Sequence, residues 1–174
     1  QGLIAESDLD LNLDPPKLHF GIGWVSRFVE KLCQFWQEKK GLRATIVRAA
    51  NVYGPFAKFD PATSNFIPAL IRKVEAAEDT LEVMGHPSTE RDVIYSKDFA
   101  HACVRLLAQP PLGMETYNLG SGRAVTVGDV VDCLLRISGK THLQVRYEHA
   151  NLPVVKGRIL DCGKMENSLQ WRPQ

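Results

Sequence analysis

The sequence predicts an α/β fold, and three observations predict it. A stretch of helical apolar spacing at 19–40 is closed by Gly41. Beyond it, short β-branched apolar runs alternate with further helical periodicities, a pattern that buries its apolar faces by packing helices on sheet. The composition is that of a globular core, with 44% hydrophobic and 24% charged residues in a chain of 174, long enough to bury one.

Within 19–40, Trp24, Val25, Phe28, Val29, Leu32, Cys33, Phe35 and Trp36 cover more than one narrow stripe. That fits a helix packed on a sheet and on a second partner, or one sunk in a single core. Residues 42–50 (LRATIVRAA) form a buried strand, followed by a turn at Tyr53-Gly54-Pro55. Ser64 is placed to cap a helix through Val74. Short strands are expected at 81–84 and 92–95, the second running into a helix capped near Ser96 or Asp98 that ends before Pro110-Pro111. Residues 117–119 form another strand. Thr126 caps a helix through Ile137, with Asp129 complementing its dipole and Gly139 ending it. Strands at 143–147 and 158–160 follow, and Asp161 is expected to cap a last short helix. Met84 and Trp171 are expected to pack, whereas Pro15-Pro16, Lys39-Lys40 and Lys156 are read as loop and solvated surface.

Lys plus Arg number 21 against 20 Asp plus Glu, so no global field recruits nucleic acid or an anionic membrane. Any anion must be held by local groups. Cys33, Cys103, Cys133 and Cys162 lie far apart with no CxxC pair, which fits reduced thiols in a cytoplasmic protein rather than a disulfide or metal framework. No apolar run reaches the ~20 residues that span a bilayer. The chain opens on Gln1 with a polar, turn-prone stretch, which gives the expectation of a cut edge.

Three ordered stretches carry a family resemblance. The first is Arg48-Ala49-Ala50-Asn51-Val52-Tyr53-Gly54-Pro55, similar to an RxxNxYGP signature. The second is residues 59–73 (FDPATSNFIPALIRK), and the third runs from Gly85 through Arg91-Asp92-Val93-Ile94-Tyr95 to Asp98. YNLGSG at 117–122, GRILD at 157–161 and LQWRP at 169–173 continue the order. Together they resemble the C-terminal half of an extended short-chain dehydrogenase/reductase of the nucleotide-sugar epimerase/dehydratase type, nearest to GDP-fucose synthase-like members.

The resemblance implies a partial Rossmann-like, doubly wound sheet with the smaller α/β substrate-binding domain of that family. Residues 1–55 would be a remnant of the dinucleotide-binding domain, 56–91 and 120–174 the nucleotide-sugar domain, and 92–119 a return segment to the sheet. It further implies NAD or NADP as the parent family's cofactor, a GDP-, UDP- or dTDP-linked sugar as ligand, and a homodimer through the 19–40 helix.

The family's proton carrier is a Tyr four residues before a Lys on one helix face, where the ammonium favours the phenolate. Counting back from Glu30, the Tyr position is Ile22 and the Lys position Ser26; no YxxxK occurs anywhere. His19 is the one nearby group able to stand in, and is otherwise a capping or surface residue. Asn65 occupies the position of the epimerising His and cannot act as an acid. Gly120-Ser121-Gly122 follows a strand without the third Gly of a dinucleotide fingerprint, so it is a tight turn. The chain alone is therefore expected neither to bind the cofactor nor to turn over; the alternative is a non-catalytic sugar-nucleotide-binding or dimerisation module.

By resemblance, Asn51 would hold phosphate or sugar, Phe66, Ile67, Pro68 and Ala69 the base and ribose, and Arg91 and Arg158 the diphosphate. Each has a structural alternative: a turn bond for Asn51, and an ion pair to Asp98 for Arg91. His86 interrupts the turn expected after Gly85.

Overall fold

The computed structural model describes residues 2–148 and 157–174, and Lys156 lies outside them. Helix α1 spans Phe20–Lys40, entered through a 3-10 turn at Lys17–His19. Gly41 closes it at φ 68°, its N–H donating to the Gln37 and Trp36 carbonyls, a left-handed cap that glycine adopts without strain.

The expected strand at 42–50 divides in two. Strand β1 (Ala44–Ala49) is followed by β2 (Asn51–Tyr53), and the chain changes partner between them. Ala50 N–H still donates to Leu119 O, whereas Asn51 N–H donates to Asp92 O. The β-branched run conceals this switch because the backbone stays extended through it.

Helix α2 (Phe66–Ala76) begins later than a Ser64 cap would give, with Asn65 at the cap position and no side-chain capping bond. The cause is a turn built on Asp60. Its carbonyl accepts from Thr63 and Ser64 N–H and its carboxylate from Ala62 N–H, so Ser64 is held before the helix. Pro68, third in the helix, has no N–H to leave orphaned.

Strand β3 (Thr80–Met84) buries Leu81 and Val83 and turns Met84 outward, 69% exposed, so the expected packing of Met84 is corrected by the two-residue period of the strand. Strands β4 (Glu90–Arg91) and β5 (Val93–Tyr95) flank Asp92, and α3 (Ser96–Ala108) follows with Asp98 in its first turn. Strand β6 (Met114–Leu119) leads to β7 (Val125–Thr126), α4 (Val127–Ser138), β8 (Gln144–Glu148) and α5 (Gly163–Leu169). The expected 158–160 strand is reduced to one bridge between Leu160 and Ile4. Cys162 rather than Asp161 occupies the cap position of α5, although Asp161 Oδ1 accepts from Gly163 N–H.

β1 pairs with β6, β2 with β5 and β3 with β8, all in parallel, while β4 and β7 are antiparallel. Parallel pairs joined through helices are the α/β architecture that the alternation predicted. Two apolar cores result among the described residues. One joins α2, β3 and α4 through Leu70, Val74, Leu81, Val83, Val131 and Leu135, with Val145 and Tyr147 of β8 packed against them. The other joins β5, α3, β6 and α5 through Ile94, Ala102, Leu119, Met165 and Leu169, with Trp171 packed against it. Burial pushes the Cys162 thiol of this second core up to about 11, so it is inert at neutral pH.

The α4 cap forms as its sequence dictates. Thr126 Oγ1 accepts from Asp129 N–H at 3.0 Å while Asp129 Oδ2 accepts from Thr126 N–H at 2.9 Å. The Thr126 side chain, then its backbone N–H, hold the Asp129 carboxyl below its ordinary value. Thr126→Ala is expected to cost about 1 kcal/mol in urea unfolding at pH 7. Because the folded-state value is depressed, the carboxylate's contribution is present at neutral pH and fades as pH falls through that lowered value. The gap between wild type and Thr126→Ala should therefore narrow in acid; a gap that widens would assign the effect elsewhere.

Candidate nucleotide-sugar site

Asn51, Arg91 and the segment bearing Arg158 come together at Asp92, and Phe66 lies against Arg91. This side chain is 1% exposed, at the point where β4 passes into β5. Its backbone carbonyl accepts from Asn51 N–H at 3.1 Å and from Asn51 Nδ2 at 2.9 Å. The Asn51 amide is thus bonded across to the Asp92 backbone rather than within the Tyr53-Gly54 turn. Oδ1 accepts from Ser121 N–H and Ser121 Oγ, both at 2.9 Å, and Oδ2 accepts from Leu160 N–H at 3.1 Å. Two distant segments therefore close on the carboxylate, and a third, at Asn51, on the backbone carbonyl of the same residue.

Arg91 is half-buried beside it. Its Nη1 donates to Glu90 O at 2.9 Å, and its guanidinium lies 6.0 Å from the centroid of the Phe66 ring, a cation–π distance. No ion pair with Asp98 forms; the Asp98 carboxylate accepts from Gln174 N–H instead. Phe66 opens α2, so Arg91 stands near the helix N-terminus where Ile67, Pro68 and Ala69 follow. That end carries orphan amides and a partial positive charge, both suited to an anion.

Arg158 is exposed, on a segment that crosses the same strands. Gly157 N–H donates to Glu90 Oε2 at 3.1 Å, and a Cβ on Gly157 would lie 2.7 Å from Glu90 O. Only glycine fits that crossing. A cavity of about 220 Å³ opens there, lined by Glu90, Gly122, Ala124, Gly157 and Ile159. A larger one, about 320 Å³, has Arg123 and Arg172 balanced by Asp161 and Glu166 and offers a diphosphate no net attraction.

The positions of the missing proton carrier are on α1. Ile22 is exposed, and Ser26 Oγ donates to Ile22 O at 3.0 Å, turned back on its own helix. His19 is exposed at the cap position of α1 and makes no side-chain capping bond. Burial, then Asp98, raise the Tyr53 phenol above its ordinary value. The Gly120-Ser121-Gly122 turn is tied to Asp92 and has no room at Gly120, where a Cβ would lie 2.6 Å from Asp92 Oδ2.

Sequence reasoning missed two features. Asp92 stood only as a motif neighbour of Arg91. Arg48 makes a bidentate pair with Glu30, Nε to Oε1 at 3.0 Å and Nη2 to Oε2 at 2.7 Å, while its Nη1 donates to Glu6 O. The available signal was opposite charge on two motif residues, one on a helix and one on the strand that follows it.

The chain is 34% identical to a GDP-L-fucose synthase of Sinorhizobium fredii, covering 100% of this chain and 55% of that protein. It is 32% identical to a putative GDP-L-fucose synthase 2 of Oryza sativa subsp. japonica, over 83% of this chain and 42% of the relative. It thus spans about half the length of these relatives. Among solved structures, UDP-glucose 4-epimerase of Thermotoga maritima, crystallised with UDP-glucose, superposes with a TM-score of 0.78 at 26% identity, covering 100% of this chain and 53% of that one. A dTDP-glucose 4,6-dehydratase of Bacillus anthracis in complex with NAD shares the fold at TM-score 0.77 and 19% identity, over 100% of this chain and 51% of that one. With a pattern match over residues 23–120, more than half its length, added to these likenesses and to the parallel strands and motif order above, the chain belongs to the NAD dependent epimerase/dehydratase family.

Proposed function

We propose that this chain holds the diphosphate and nucleoside parts of a nucleotide sugar, as the substrate-holding portion of an epimerase, dehydratase or reductase of its family. One observation carries this reading: Arg91, the N-terminus of α2 with Phe66, and the segment bearing Arg158 converge on β4 and β5. Guanidinium groups grip phosphate oxygens bidentately, and the α2 amides add neutral donors. The core of α2, β3, α4 and β8 is the body assigned to the nucleotide-sugar domain, within 56–91 and 120–174. Residues 1–55 are assigned to the dinucleotide-binding side.

A nicotinamide cofactor, where a relative binds one, supplies hydride chemistry. This chain's own residues supply no proton carrier at Ile22 and Ser26 and no acid at Asn65. It is expected to bind without turning over, as a cytoplasmic, self-associating protein.

Titration of GDP, UDP and dTDP against wild type and Arg91→Ala tests the reading. Losing a charge-assisted bond to phosphate costs roughly 1.5–3 kcal/mol, about one to two decades in affinity. Equal affinities in the two proteins would return Arg91 to a structural role, and steady NAD(P)H turnover with any GDP-, UDP- or dTDP-linked sugar would overturn the expected inactivity.

A further inference from the structure

Asp92 stands out from the rest of the candidate site because it is bonded to three distant segments, at Asn51, Ser121 and Leu160, and is almost wholly withdrawn from solvent. At 1% exposure it makes no salt bridge among the described residues. Its carboxylate is satisfied by donors from two other segments: Ser121 N–H and Oγ on Oδ1, and Leu160 N–H on Oδ2. Burying a carboxylate is unfavourable without such bonds. A core contact of the same volume would be met by an apolar side chain, so the bonds themselves are what the position provides.

We propose that Asp92 is a positioning residue for the nucleotide diphosphate, holding the Gly157–Leu160 segment, and with it Arg158, in register with Arg91. The proposal rests on the nucleotide-sugar reading above. Two contacts fix that segment on β4 and β5. Glu90 Oε2 takes Gly157 N–H and Asp92 Oδ2 takes Leu160 N–H, so Arg158 is carried between two pinned backbone groups. The same carboxylate fixes the Ser121 turn, and Asp92 O fixes Asn51. The carboxylate backs onto Gly120, where a Cβ would lie 2.6 Å from Oδ2, so a substitute side chain has little freedom to rotate away.

Asp92→Asn preserves volume but, with its oxygen kept toward Ser121, sets an amide donor against Leu160 N–H. Nucleotide affinity of the full chain is expected to fall about tenfold. The comparison with Arg158→Ala separates positioning from general damage. If Asp92 acts through Arg158, the double variant binds about as weakly as Arg158→Ala alone; losses that multiply would overturn the proposal, because independent effects add in free energy. Arg158→Ala binding as tightly as wild type would overturn it too. Should Asp92→Asn not fold, Ser121→Ala removes one donor to Oδ1 and is expected to weaken binding about threefold, again without further loss on top of Arg158→Ala; unchanged affinity would overturn it. The two readings fail differently. Binding that weakens in Arg91→Ala but not in Asp92→Asn or Ser121→Ala removes only the role of Asp92, whereas no binding of GDP, UDP or dTDP by wild type removes both.

Discussion

Arg48→Leu is expected to lower the unfolding free energy by about 3 kcal/mol, at the low end of what breaking a buried ion pair costs. Glu30 is the buried residue of α1, and the pair side chains are 19% and 10% exposed, so solvent screens the contact only partly. Removing Arg48 leaves the Glu30 carboxylate facing β1 without its two donors, and leaves Glu6 O without the Nη1 bond. The damage should spread. Glu6 Oε1 accepts from Asn118 N–H at 2.7 Å, and Asn118 Nδ2 donates to Ile4 O and Asp161 O, so the opening segment is held to β6 through the same network. Replacing both partners by Leu should recover much of the loss, since two apolar groups leave no uncompensated charge. Urea midpoints of the two single variants and the double variant decide this. Singles within about 0.5 kcal/mol of wild type would mean that the pair is worth no more than an exposed one.

What the sequence disclosed, and what it hid, follows from how local each determinant is. The α4 cap needed only Thr126 and Asp129, three residues apart, and the end of α1 needed only Gly41. The start of α2 depended on Asp60, whose carbonyl and carboxylate hold the preceding residues in a turn; Ser64 by itself gave no sign of that. The division of β1 from β2 is set by which distant strand lies alongside, Leu119 or Asp92, and the residues of 42–50 are equally content with either. Met84 was legible by the strand period, since Leu81 and Val83 face inward and the next residue must face out. At the site, Arg91 and Phe66 came from motif resemblance, but Asp92 is a hub only because segments 29 and 68 residues away reach it. Non-local bonding of that kind leaves no periodicity or spacing to read.

The chain is expected to self-associate through α1 at micromolar concentration. The helix is inverted relative to an ordinary surface helix: Glu30 faces Arg48 of β1, while Ile22, Val25, Phe28, Val29, Leu32, Phe35 and Trp36 are exposed, Phe28 to 64%. At 100° per residue these seven fall within a band of roughly 140°. So wide an apolar face is unusual on a protein that stays alone in water. A second copy is the occupant expected, because the resemblance implies such pairing and a formal net charge of +1 sets little repulsion between copies. Each side chain is about half covered already, so covering the rest contributes about 1 kcal/mol. All seven on each protomer in a two-fold contact give roughly 14 kcal/mol, and about 6 kcal/mol for lost translational freedom leaves roughly 8 kcal/mol, a micromolar contact. Phe28→Asp places a charge within the band, at one of its most exposed side chains, and should shift the population to monomer with little change in folding, since Phe28 contributes to neither apolar core. Sedimentation velocity from about 1 to 100 µM brackets that micromolar range. A wild-type species that remains monomeric across the range, unchanged by Phe28→Asp, would mean that one chain tolerates this face in water.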